Sequence, residues 1–359
     1  MQPVTSRFKA TLQLAALYLC AIAAGWVFSR LNVPLPWMIG PLILSASVYI
    51  SGLMTVRVPV KTRPFGQMTI AAQVGLAFKP AALAALLSLA PLLVGAAIVT
   101  AILASLVALL TARMAPMGLA QAFLATFPTS PVEAAVMAER LDCDPAPIVL
   151  AQTMRIAAVV IFVPLSIYAL DGWPDRSGLI RGGTFDLWGN GFLAALAIAG
   201  AVLFKVLRIS NPYFLGPLTF SAAAAAMDFH ATAFPPLMLS AAQVVLGTWL
   251  GSTFRRELLR NGRRLIAASA FSTLLLLAIV SAFAVGVAQI SGLDWEVLVL
   301  GLAPGGVTEM ALTAKFLGVD LALVTAFQLT RIFIFMPNIP WIVQLVARFE
   351  VRRNANRKP

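Results

Sequence analysis

The string PWMIGPLILSA at 36–46 returns as PYFLGPLTFSA at 212–222, 176 positions later, and this recurrence constrains the fold more than any other feature of the sequence. The same shift carries Glu133 onto Glu309, Asp144 onto Asp320, Gln152 onto Gln328, Arg155 onto Arg331 and Pro164 onto Pro340. The chain is therefore an internal duplication, and its two halves must fold alike. The shift also lays Leu12–Phe28 over Trp188–Phe204. The opening run, which with Arg7 and Lys9 has the look of a signal peptide, thus belongs to the repeated unit and is expected to be a retained helix. One match breaks the register: AAQV at 71–74 returns at 241–244 after only 170 residues, through a small gap or by coincidence in an alanine-rich span.

The solvent of this fold is lipid. Hydrophobic residues make up 60% of the chain and charged ones 11%, in about ten apolar segments near the length that crosses a bilayer. No polar stretch is long enough for a separate soluble domain. The net charge of +12 sits in short loops beside these segments, a pattern of membrane topology rather than of nucleic-acid binding. Cys20 and Cys143 show no metal or disulfide spacing.

Each half contains six apolar segments, near 10–28, 36–52, 66–78, 84–111, 118–139 and 146–170, then near 187–206, 212–229, 236–254, 265–288, 297–317 and 321–346. Equivalent loops carry opposite charge. Arg57, Lys61 and Arg63 correspond to a loop with Asp228 and His230, whereas the lone Lys79 corresponds to Arg255, Arg256, Arg260, Arg263 and Arg264. Because Lys and Arg collect on the cytoplasmic side, the swap predicts halves of opposite orientation, each with an odd number of crossings. The fifth segment is the one to demote, since FPTSP (127–131) and APGG (303–306) interrupt it. Such backbone survives at membrane depth only inside protein or beside a water-filled cavity. The expected fold is an all-α polytopic membrane protein of two inverted-topology repeats, each about five transmembrane helices plus one broken re-entrant hairpin. Repeat 1 spans 1–170, a periplasmic linker 171–186, repeat 2 187–347 and a basic cytoplasmic tail 348–359, with both termini inside.

The breaks carry the chemistry. Proline and glycine there free backbone dipoles and start new half-helices, whose N-termini attract anions while unwound carbonyls attract cations. Thr129 or Ser130 can cap the first, with Glu133 in its opening turn; Thr308 and Glu309 hold comparable places in the second. The following segment carries Q-x-x-R, Gln152/Arg155 and Gln328/Arg331, with amide and guanidinium on one helix face. Arginine in an apolar span needs a partner, and Glu133 and Glu309 are the natural ones. These nine residues form the candidate solute and ion site, or else pairs that pin the hairpins. Gln73 and Gln243 suit an interhelical hydrogen bond or a ligand contact equally. Gly40–Pro41 and Gly216–Pro217 read as kinks and close packing.

The duplicated W/Y-x-x-G-P-L-x-x-S-A, the broken segments with their glutamates and the later D-x(7)-Q-x-x-R-I resemble the AbrB duplication family of bacterial inner-membrane proteins over nearly the whole chain. The resemblance implies an inner-membrane location. Family labels name an ammonia monooxygenase or a regulator of gene expression. An oxygenase metal centre needs a ligand cluster usually rich in histidine, and the chain has one His; no loop holds a DNA-reading module. By architectural analogy the expected function is secondary transport or export of a small anionic or zwitterionic solute, coupled to protons or a cation. No enzyme activity and no cofactor are expected. The partners are the solute, the coupling ion, membrane lipids and a second copy in a homodimer, without nucleic acid. The alternative is a membrane-embedded regulator acting through a partner.

Overall fold

In a computed structural model of the chain, the described residues are 4–115, 117–129, 131–141, 143–172, 186–209, 211–254 and 263–355. Among them the regular structure is helical. The first half runs α1 (Val4–Arg30), α2 (Pro36–Ser51), α3 (Arg63–Gly75), α4 (Pro80–Ser88), α5 (Ala90–Met114), α6 (Leu119–Thr126), α7 (Pro131–Arg140) and α8 (Pro145–Asp171). The second runs α9 (Leu187–Val206), α10 (Pro212–Ala226), α11 (Pro236–Gly251), α12 (Arg263–Ser291), α13 (Trp295–Leu302), α14 (Val307–Leu317) and α15 (Leu321–Ala355). Helices α2, α4, α7, α8, α10 and α11 begin on a proline. Its missing N–H costs nothing in a first turn and its φ is already helical.

Among the described residues, five helices are long and apolar enough to cross a membrane: Lys9–Arg30, Ala90–Met114, Pro145–Asp171, Leu187–Val206 and Arg263–Ser291. The protein is a multi-pass membrane protein. Pro36–Ser51 and Pro236–Gly251 are shorter apolar helices, while Leu321–Phe335 is the apolar opening of the longer α15. Sixteen residues rise about 24 Å, short of the roughly 30 Å hydrocarbon core. The expected span near 66–78 is the first arm of a bent pair, Val60–Gly75 and Pro80–Ser88, meeting at 86°. Pro80 starts the second arm, and the segment expected from 84 is split at Leu89.

The chain forms two compact units, and each draws on both repeats: Met1–Ser88, Val163–Arg256 and Ala311–Leu323 in one, Leu89–Phe162, Glu257–Met310 and Val324–Pro359 in the other. In the first unit α1 packs on α2 as α9 packs on α10, and α2 packs on α11 as α10 packs on α3. Exchanging the repeats exchanges these pairs, which is how a pseudo-twofold axis expresses itself in contacts. Individual residues obey the same rule. A Cβ on Gly75 would overlap Ser221 Oγ and lie 2.7 Å from Leu218 O; one on Gly251 would overlap Leu42 O and lie 2.7 Å from Ser45 Cβ. Adding 176 converts 42, 45 and 75 into 218, 221 and 251. The register is thus held through the ends of α3 and α11, and the 170-residue AAQV match is a coincidence. Gln73 is structural in that its Oε1 accepts from Phe234 N at 2.9 Å.

The second unit obeys the rule as well: α5 packs on α6 as α12 packs on α13, while α5 and α12 pack on each other. Backbone conformation is duplicated where residue type is not. Positive φ occurs at Asn32 (57°) and Arg208 (55°), at Leu35 (47°) and Asn211 (53°), and at Gly52 (78°) and Asp228 (58°). Outside the spans, Asp186 starts α9, accepting from Trp188 N at 3.1 Å and Thr232 Oγ1 at 2.7 Å, with His230 Nε2 at 3.2 Å. Asn190 Nδ2 donates to the carbonyls of Thr232 and Ala233, so the loop before α11 is stapled to α9.

Candidate functional site

Helices α6 and α13 stop after eight residues at equivalent points. Phe127 (φ −65°, ψ 137°) and Ala303 (φ −49°, ψ 135°) turn the chain to extended geometry ahead of Pro128 and Pro304. Each helix end leaves carbonyls without an intrahelical donor, a liability where water is scarce. Helices α8 and α15 supply the donors. Gln152 Nε2 donates to Leu124 O (2.6 Å), Phe127 O (3.1 Å) and Thr129 Oγ1 (2.9 Å). Arg155 donates to Thr126 O (2.7 Å), Phe127 O (3.1 Å) and Gln152 Oε1 (2.7 Å), with a longer 3.4 Å approach to Ala125 O.

The second repeat reproduces this clamp. Gln328 Nε2 donates to Leu300 O (2.7 Å) and Ala303 O (3.2 Å). Arg331 donates to Ala303 O (2.7 Å), Gly305 O (3.0 Å) and Gln328 Oε1 (2.6 Å), with Leu302 O at 3.4 Å. Both arginines are 3% exposed and both glutamines fully buried. A guanidinium at a helix C-terminus meets the negative end of the helix dipole and satisfies several orphan carbonyls at once. The sequence suggested carboxylate partners for these arginines; the described bonds of both end on carbonyls and on the glutamine of the same Q-x-x-R. Among the described residues, each buried Nε has no hydrogen-bond partner.

The two breaks lie in the same unit. Phe127, itself fully buried, packs edge-on against Phe335 of α15 and stacks on Phe123, with ring centroids 5.3 Å apart in each case. A Cβ on Gly305 would lie 2.8 Å from Val159 Cγ1 of α8. Each break is thus clamped by the helix of its own repeat and touched by that of the other. Phe127, Phe335 and Val159 were not singled out in the sequence; an apolar residue in an apolar span gives no signal there.

Beyond the second break, Glu309 stands in the first turn of α14. Its carboxylate folds back over Gly306, where any Cβ would collide with Oε2. Gly306 leaves room for an anionic group at the helix N-terminus. Thr308 is buried and Glu309 half-buried. In the first repeat, Thr129 is tied to Gln152; Ser130 and the side chain of Glu133 lie outside the described residues.

Two overlapping stretches of the chain, 1–171 and 132–347, match the sequence profile of a family described as transition state regulatory protein AbrB. The chain belongs to the AbrB family. Its similarity to YhjN of Bacillus subtilis strain 168, an uncharacterized protein, is 26% identity over 93% of each chain. To an Escherichia coli K12 protein named "Putative regulator AbrB" it is 25% identical, over 45% of this chain and 46% of that one. The double match accords with the duplication seen in the AbrB-family sequence and backbone.

Proposed function

We propose that this AbrB-family protein is a secondary transporter or exporter of a small anionic or zwitterionic solute, coupled to protons or a cation, and not an enzyme. The observation that carries the reading is the pair of breaks, one per repeat, that lie in one compact unit, each clamped by its own repeat's helix and touched by the other's. Irregular backbone at membrane depth survives inside protein or beside a water-filled cavity, and in carriers such breaks border the solute site. With Arg155 and Arg331 engaged by carbonyls, the solute falls to the half-helix N-termini and to Thr129, Ser130 and Thr308. Glu133 and Glu309 supply the ionisable groups whose occupancy differs between conformations, as a gradient-driven exchange requires. The opposite loop charges support inverted repeats, the bacterial inner membrane and cytoplasmic termini. In a cysteine-free background, Lys61→Cys labels from the cytoplasm and His230→Cys from the periplasm; labelling of both from one side removes the inverted arrangement.

The functional test uses purified protein in liposomes. Solutes are first screened for a rise in melting temperature, and the stabilising one is then offered under an imposed pH or sodium gradient. Gradient-driven flux or counterflow is the expected result. A solute that binds tightly yet does not cross, with the protein folded and inserted, overturns the carrier reading. It would favour a membrane-embedded regulator; the name of the Escherichia coli relative contains the word regulator.

A further inference from the structure

We infer that Glu350, beyond the repeated region, is a latch that holds the first arm of the first hairpin, α6, to the C-terminal end of the chain. Helix α6 has no acidic residue in its first turn and starts on Gly118, which offers no side chain. Its counterpart α13 carries Asp294 at the N-cap and Glu296 in the first turn. The 176-residue shift maps Asp294 and Glu296 onto Gly118 and Ala120, so the first repeat lacks both carboxylates that the second keeps beside its helix start. One carboxylate arrives from elsewhere. Leu119 N donates to Glu350 Oε1 at 2.9 Å and Ala120 N to Glu350 Oε2 at 3.3 Å, across 231 and 230 positions of sequence.

The geometry is that of a borrowed N-cap. The two oxygens take separate amide hydrogens of the opening turn, and the negative charge faces the positive end of the helix dipole. Gln121 Oε1 accepts from Gly118 N at 3.2 Å, completing the first turn. Glu350 comes from α15, which continues past the end of the repeat to Ala355. The corresponding position after α8 is Pro174, which has no carboxylate. The two starts consequently differ: the second has its own carboxylates beside it, the Asp294 side chain making no cap bond, and the first takes its cap from the C-terminal helix. A pull on the basic tail unfastens α6 and leaves α13 untouched. This inference does not rest on the transport reading.

The test is hydrogen exchange on the full chain in nanodiscs. Glu350→Gln should speed exchange in 117–126 about tenfold, the usual consequence of losing a helix cap, while 293–302 stays unchanged. Gly118→Asp supplies the missing cap in place, since Gly118 has the extended geometry of an N-cap (φ −68°, ψ 164°). It should restore protection in an Glu350→Ala background. In the wild type the same substitution should lower the melting temperature, because its Cβ would stand 3.0 Å from Glu350 Oε1 and add a second carboxylate. Unchanged exchange in 117–126, equal acceleration in 293–302, or the same sign of the Gly118→Asp effect in both backgrounds overturns the latch. If Glu350→Ala does not fold, Gly118→Asp combined with Glu350→Gln carries the same sign test.

Discussion

Replacing Arg331 by methionine separates a clamp from a solute ligand. Methionine keeps most of the buried stem and removes the guanidinium, leaving Ala303 O and Gly305 O without this donor and Gln328 Oε1 without its 2.6 Å bond. Charge-assisted bonds contribute about 1.5–3 kcal/mol each, so three of them amount to roughly 4–9 kcal/mol before compensation. Burying the guanidinium costs several kcal/mol that the variant is spared. The net destabilisation expected is about 2–4 kcal/mol, concentrated at the break. The assay is solute-free thermal unfolding in detergent, with hydrogen exchange over 300–306 as the local readout. Gln328→Met, which removes the two amide bonds and the acceptor of Arg331, should cost a comparable amount. Because the two residues share a network, the double variant should fall short of the sum by about 1 kcal/mol. If Arg331 served only to bind solute, Arg331→Met would leave the empty protein as stable or stabler, having lost a buried charge. That result, with unchanged exchange at 300–306, refutes the clamp.

Other expectations are equally direct. Gly216→Ala places a methyl on the carbonyl of Gly200 at the α9–α10 crossing and should cost about 1–3 kcal/mol by overpacking, whereas Gly191→Ala, with nothing within 4 Å, should leave the melting temperature unchanged or slightly higher. Glu309→Gln should abolish gradient-driven flux in liposomes while the melting temperature stays near wild type; loss of folding would make the glutamate structural. The hydroxyl of Thr232, then the backbone of Gly189, hold the Asp186 carboxyl below its ordinary value. Its contribution is therefore complete above the usual aspartate range, about 3.9, and lost as pH falls through the lower folded value. Hydrogen exchange of 228–235, corrected for intrinsic rates, should rise there in the wild type and show no such step in Asp186→Asn.

The duplication was legible because PWMIGPLILSA and its copy hold their register over a glycine, prolines and a serine that make close contacts. The left-handed backbone at 35 and 211 was not legible, since leucine stands at one site and asparagine at the other. Tertiary packing imposes that conformation on Leu35, which is fully buried. The AAQV match could be a gap or a coincidence on sequence alone, because four residues in an alanine-rich span carry little register information. Q-x-x-R announced two polar groups on one helix face but not what lay opposite. The partners are main-chain carbonyls, which every residue possesses and no sequence advertises. The borrowed cap had one faint signal, Gly118 where the second repeat has Asp294.

The interleaving of the repeats sets the order in which this protein can be built. Helix α2 begins at Pro36, and α11, against which it packs, begins at Pro236. At ribosomal rates of about 5–20 residues per second, α2 waits roughly 10–40 seconds for that surface to be synthesised. Through that interval the first repeat sits in lipid with Leu42 O and Ser45, the groups that Gly251 later meets, on display. Neither compact unit can close until the second half has emerged, so the membrane holds half a protein in which α1 has met α2 while α2 still waits for α11 and α3 for α10. Assembly is a late event, and a chain truncated at its midpoint is an orphan rather than a smaller version of the whole.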